Sequence, residues 1–261
     1  MSKARQPKGT VSPEPAVRSY SVTHPAGLHL AERVYDDWGQ LLFAERGAAI
    51  VRMPSEIRVL PRHRAIWIPP GVPVSIDVRK QVAFRTVYIR TDCFPSRLCS
   101  GVVEGNVRSL ARELILETCR ISTLSLTDER HSHLAHLIVD EVAALEASPF
   151  QLPLPSDPRS RAAIEYIIVN QAPGEERNIS LIAKTTGASV RTLQRLFSRE
   201  TGMGLGQWIR RYRLLSAAQL LSEGYTVSET GHRIGYRSIS AFVAAFHGEF
   251  AVTPGRFVGE S

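Results

Sequence analysis

The chain has 261 residues, 43% of them hydrophobic and 22% charged, which excludes wholesale disorder. Its formal charge of +7 admits nucleic acid or an anionic surface as partner. No apolar run approaches the ~18–20 residues that span a bilayer, and none follows the basic residues of positions 1–15 as in a signal peptide, so a cytoplasmic protein with no membrane partner is expected. The three cysteines, Cys93, Cys99 and Cys119, are odd in number and lack zinc-module spacing, which argues against a disulfide framework.

In chain order, residues 1–17 read as a disordered tail, with Pro7, Pro13 and Pro15 and few apolar side chains. From 28 to 90, β-type runs at 41–43, 48–51, 65–68, 74–78 and 84–89 are punctuated by Gly47, Pro54, Pro69, Pro70, Gly71 and Pro73. That spacing predicts a small antiparallel barrel or sandwich. Two helices should follow. The first covers 106–119 with Leu110, Leu114 and Ile115 inward; the second opens at Thr127, Asp128 and Glu129 and aligns Leu134, Leu137, Ile138, Val142 and Leu145. Residues 149–158 contain four prolines, fit neither helix nor central strand, and read as an interdomain linker. The expected division is therefore 18–148, 149–158 and 159–261.

Beyond the linker the pattern is helical. Asp157 and Pro158 suit a helix start, with Ala163, Ile164, Ile167 and Ile168 on one face. Residues 180–201 then carry Ser180 as a cap, Ala183 as a small residue, Gly187 at a turn, Ser189 as a second cap, and inward Leu193, Leu196 and Phe197. Close helix crossing and a three- or four-residue turn are what a helix-turn-helix requires. The opposite face shows Arg191, Gln194, Arg195 and Ser198. Arginine pairs bidentately with guanine and glutamine with adenine in the major groove. Across 227–250 the design recurs: Gly231, Gly235, Ser238, Phe242 and Phe246, offset by 48 residues before the turn and 49 after it. A helix of about 18 residues between the units would be ~27 Å long, near the ~34 Å between successive major grooves.

Residues 160–258 resemble the DNA-binding domain of the AraC/XylS family of bacterial transcription regulators. The resemblance rests on Ile182, Ala183, Gly187, Ser189, Arg191, Leu193, Arg195, Phe197, Thr201, Gly202, Trp208, Arg213, Ile234, Gly235 and Tyr236. It continues through Ser240, Ala241, Phe242, Phe246, Thr253, Pro254, Arg256 and Phe257. It implies double-stranded operator DNA as partner, read by Ser189, Arg191, Gln194, Arg195 and Arg199 from the first unit and by Arg237, Ser238, Ile239, Ser240 and Val243 from the second. Where family members often carry polar or basic side chains, this chain has Ile239, Val243 and Ala244, which favours methyl contacts to thymine. Gly204 stands where a capping serine is common.

Residues 28–90 resemble the cupin-type sensor domain of one branch of that family, on Asp37, Trp38, Gly39, Gln40, Leu41, Gly47 and the run from His63 to Pro73. The fold class implied is a cupin-like all-β domain with accessory helices, joined to an all-α double helix-turn-helix. Small-molecule binding is implied, with Trp38, Trp67 and Tyr88 as candidate effector contacts, together with contact to RNA polymerase and homodimerisation. The positions matching cupin metal ligands are Val34, Asp36 and Val74. Valine cannot ligate, so no metal or other cofactor is expected, and the rival reading of a cupin metalloenzyme with a helical accessory domain is disfavoured. His131, His133 and His136 read as surface histidines, Cys93 and Cys99 as unpaired thiols, and Gly202, Gly204 and Gly206 as an interhelical turn.

Overall fold

The structure is a computed structural model that describes residues 14–145, 150–169 and 179–259. Its first part is built from β1 (Val17–His24), β2 (Leu28–Arg33), β3 (Trp38–Arg46), β4 (Ala49–Arg52), β5 (Glu56–Leu60), β6 (Arg64–Ile68), β7 (Val74–Val78), β8 (Val82–Arg90), β9 (Val103–Asn106), β10 (Thr123–Leu124) and β11 (Gln151–Pro153). The strands form two antiparallel sheets, ordered β10-β1-β8-β3-β6-β9 and β11-β5-β4-β7-β2. The expected barrel is open: two ladders face one another, compatible with a cupin-like arrangement but not one closed cylinder.

Side-chain alternation decides what each face meets. On β3, Leu42 and Ala44 turn toward the second sheet and, with Ile66 and Phe84 of their own sheet and Val51, Leu60 and Ile76 of the other, complete one core. Leu41 and Phe43 turn the other way, onto helices α1 (Ser109–Ile121) and α2 (Glu129–Ala143), with Trp67, Val87, Ile115 and Ile138. Asp128 caps α2 by accepting from the His131 N–H at 2.8 Å. Leu110 and Leu137, expected inward, are exposed instead; Ala111 and Ala135 take the buried positions.

Two expectations for the connecting segments change. Residues 1–13 lie outside the described residues, but Ala16 and Val17 are buried and Val17 opens β1, so positions 16 and 17 belong to the folded β part and not to the expected tail. Pro149 also lies outside them. The rest of the expected linker is no free spacer: β11 pairs with β5 at the sheet edge, and Phe150 and Leu152 are buried. Proline is tolerated there because an edge strand leaves its outer N–H positions unpaired.

The helical part consists of α3 (Pro158–Val169), α4 (Ile179–Thr185), α5 (Val190–Thr201), α6 (Leu205–Ser222), α7 (Val227–Arg233), α8 (Ile239–Phe250) and α9 (Pro254–Gly259). Ser180 lies inside α4 and does not cap it. Helix α6 is apolar around most of its circumference, with Trp208, Tyr212, Leu214, Ala217, Ala218 and Leu221 buried, the signature of a central helix. It touches α5, α7, α8 and α9 and also β5 and β11.

Candidate nucleic-acid interface

The two helix-turn-helix turns close with the same backbone pattern. In the first, the Ala188 N–H donates to the Ala183 carbonyl and the Gly187 N–H to Lys184; in the second, Tyr236 donates to Gly231 and Gly235 to His232. These paired closures end a helix only if one residue is left-handed. Gly187 (φ +64°) and Gly235 (φ +79°) supply it. At Gly231 an added Cβ would sit 3.1 Å from the Phe242 ring, so close helix crossing explains the small residue. Ser189 and Ser238 each cap the following helix at 3.1 Å, through the N–H groups of Thr192 and Ala241. The residue added in the second turn is Arg237, which is exposed.

On α5, Leu193, Leu196 and Phe197 are buried, while Arg191, Gln194, Arg195, Ser198 and Arg199 are exposed. Arg199 pairs with Glu200 at 2.6 Å. Arg191, Gln194 and Arg195 have no hydrogen-bonding or ionic partner among the described residues, so their polar groups are available to a ligand. On α8, Phe242, Ala245 and Phe246 are buried; Ile239, Ser240, Ala241 and Ala244 are exposed and Val243 is half-buried. The polar groups cluster on one helix, and the other offers small and apolar side chains.

Two of the seven basic residues between 184 and 213 serve the fold. Arg213 donates to the Ile234 carbonyl and lies 5.2 Å from the Tyr236 ring, bracing the second turn. Arg211 donates to the Gln151 carbonyl at 3.0 Å and pairs with Glu249 at 2.9 Å. Lys184 and Arg210 are exposed. Glu200, the acid in this stretch, accepts from the backbone N–H groups of Asp157 and Ser156; those bonds and Arg199 hold its carboxyl at about 2.

Between the sheets lies a cavity of about 540 Å³, bounded by β1, β2, β3, β7 and β8. Trp38 and Tyr88 line it, as the sequence reading expects. Trp67 does not. It pairs across from Leu41, on the face that meets the helices, is fully buried there, and donates its indole N–H to the Cys99 carbonyl at 2.9 Å. One residue of alternation separates the two faces. Of the positions matching cupin ligands, Val74 faces the cavity, while Val34 and Asp36 are exposed. Among the described residues no group of three His, Cys, Asp or Glu could hold a metal ion. His136 contacts the Phe94 ring, His131 neighbours the cap Asp128, and burial pushes the Cys93 and Cys119 thiols up.

Sequence reasoning missed the contact between the two parts. Ile50, Ile57, Val59, Phe150 and Leu152 join the same apolar cluster as Trp208, Leu215 and Phe250. Around it, Trp208 donates to the Pro153 carbonyl at 2.8 Å, Arg62 to Val258 at 2.7 Å and Arg161 to Pro54 at 2.8 Å. Lys80 and Arg233 lie over the Tyr225 ring at 3.7 and 4.5 Å. Only the aromatic density of the C-terminal region hinted at such a surface.

Residues 182–259 match a family model described as a helix-turn-helix domain. Regulatory protein SoxS of Salmonella typhimurium is 38% identical over 78 residues, which are 30% of this chain and 73% of that protein. The chain belongs to the AraC/XylS family. It is a DNA-binding transcription regulator of that family, and its similarity extends beyond the double helix-turn-helix. The HTH-type transcriptional regulator NimR of Escherichia coli is 29% identical over 222 residues, 84% of this chain and 79% of that one. Among solved structures, fatty-acid-bound ToxT of Vibrio cholerae covers 93% of this chain and 94% of its own, at 11% identity and a TM-score of 0.38. No helix among this regulator's described residues is long and apolar enough to cross a membrane.

Proposed function

We propose that this AraC/XylS-family regulator binds its operator with α5 in one major groove and α8 in the next, using Arg191, Gln194 and Arg195 as base readers. Ser189, Arg199, Arg237 and Ser238 would contact phosphates, and Ile239, Ser240 and Val243 would meet the second groove. The single observation that carries this is the exposed, unpartnered set on α5 above a turn repeated at α8. Residues 159–261 act as the DNA-binding domain and 18–148 as the sensor, with 149–158 between them. The cavity behind Trp38 and Tyr88 receives an effector, whose binding energy shifts the arrangement of the two parts and with it DNA affinity. The protein acts as a regulator in the cytoplasm and not as an enzyme; homodimerisation and contact with RNA polymerase belong to the same reading.

The test is to select bound sequences from random duplex and compare the parent with Arg195→Ala. A good bidentate contact is worth ~1–3 kcal/mol of discrimination, so the variant should bind the selected site tenfold or more weakly and lose preference at one position. Equal affinity and equal preference would remove α5 from the readout.

A further inference from the structure

The strand register arranges the cavity wall in rows. Arg18 on β1 lies opposite Tyr88 on β8, and Tyr88 lies opposite Gln40 on β3. Directly opposed Cβ atoms are ~5 Å apart, so these three polar side chains stand side by side. The next row is Tyr20, Thr86 and Leu42; the one after it is Val22, Phe84 and Ala44. Leu30, Val74 and Ile76 face them from the second sheet. The cavity is therefore polar at the Arg18, Tyr88 and Gln40 end and largely apolar at the other, where His24 is the one titratable group among the described lining residues and packs on Phe84.

The polar end has the makings of an anion site. Two arginines, Arg18 and Arg33, line the cavity, and among the described residues no carboxylate does. The Arg18 guanidinium lies over Trp38 at 4.8 Å. Its acidic neighbour Glu14 is 3.7 Å away, largely exposed and bonded to Arg90 at 2.8 Å. The hydroxyls of Tyr35 and Tyr88 are 3.3 Å apart. One hydrogen serves that pair, which leaves the other hydroxyl hydrogen able to donate elsewhere. Gln40 is 7% exposed, and its buried carboxamide oxygen has no partner. A buried amide oxygen without a hydrogen bond needs an explanation, and a ligand group supplies one. Because the amide can turn end for end about its last bond, it can present N–H to an acceptor.

We infer that the cavity takes a small organic carboxylate, its anionic group held by Arg18, Tyr88 and Gln40 and its compact apolar body lying against Leu42, Ile76 and Phe84. The inference rests on the cavity being the effector site and narrows the chemistry of what enters it. A neutral sugar would leave the apolar rows unsatisfied, and a cation would meet two arginines.

The experiment is calorimetric titration of the full chain with phenylacetate, 3-phenylpropionate and 4-phenylbutyrate, each against its primary amide and its amine. At least one acid should bind, tenfold or more tightly than its amide, with its amine weaker still. Arg18→Gln should bring the acid down to the level of the amide, Gln40→Leu should weaken both, and Arg120→Gln, on the exposed face of α1, should change neither. Circular dichroism of each variant keeps loss of fold apart from loss of site. Absence of binding by all three acids, equal binding of acid and amide, or a preference that survives Arg18→Gln would overturn the proposal. Operator affinity measured with the tightest acid at saturation separates the two readings. Unchanged DNA affinity would defeat the effector role while leaving the anion site standing.

Discussion

The ring of Phe150 stacks on that of Phe250, centroids 4.6 Å apart and planes 19° from parallel. One ring precedes the edge strand β11 and the other ends the second recognition helix α8. Phe257 packs against the same ring at 5.4 Å, and the Arg64 guanidinium lies over it at 4.9 Å, itself paired with the buried Glu104. The β part thus holds α8 through side-chain packing as well as through the chain.

Removing the Phe150 ring should loosen that hold. Phe150 is buried, and truncating a buried phenylalanine typically costs ~3–5 kcal/mol. Phe150→Ala is expected to lower stability by about that amount and to split one thermal transition into two, seen by calorimetry. A single transition at the parental temperature would show that the two parts are not coupled through this ring.

Two glycines should respond in opposite ways. A Cβ on Gly39, near the start of β3, would lie 2.0 Å from the Trp67 ring, so Gly39→Ala should displace the indole and strongly destabilise the β part. Gly204 caps α6 in extended geometry, makes no side-chain cap and has open space around it. Gly204→Ser should add a few tenths of a kcal/mol. Urea midpoints of the two variants check both signs; a stabilised Gly39→Ala would contradict the packing described.

Much of this architecture was legible, for local reasons. Ser189, Ser238, Gly187 and Gly235 act within a few residues of themselves, and each does what its type and spacing imply. β1 and β2 escaped notice because Arg18, Tyr20, His24 and Arg33 line a cavity, which erases the apolar alternation of a strand packed on a core. Composition cannot reveal which face of β6 Trp67 occupies, and that face decides whether it meets the cavity or the helices. The structural roles of Arg211 and Arg213 are not legible in sequence, because their partners Gln151, Glu249 and Ile234 lie 21 to 60 positions away and only the fold brings them together.

Acidification should weaken the β part. Burial lowers His24, and burial together with Arg62 and Arg112 lowers His63, below the ordinary 6.5. Both stay neutral in the fold while the unfolded chain takes up protons, so their stabilising contribution is full above 6.5 and is lost as pH falls through the folded values. Asp157 and Glu200, held at about 2, titrate far below that window. Urea unfolding between pH 7 and 5 should show stability falling, with a shallower fall in a His24→Gln/His63→Asn variant. Identical slopes would contradict the assignment.

Arg237 should contribute affinity without sequence. A phosphate contact adds about 0.9 to the salt slope of binding. Arg237→Ala is expected to weaken binding to specific and random duplex alike and to lower the slope by about one unit, measured by anisotropy across salt concentrations. Selective loss at one base pair would make Arg237 a base reader instead.

In the proposed mode one chain reads two successive grooves by different means, hydrogen bonds from α5 and apolar or phosphate contacts from α8. Selection from a fully randomised duplex tests it most directly, through the information content of each half of the recovered site. Strong preference is expected across the half under Arg191, Gln194 and Arg195, and weak, A·T-leaning preference across the half under Ile239 and Val243, about one helical turn away. Equal information in both halves, or a recovered site confined to one groove, would contradict it.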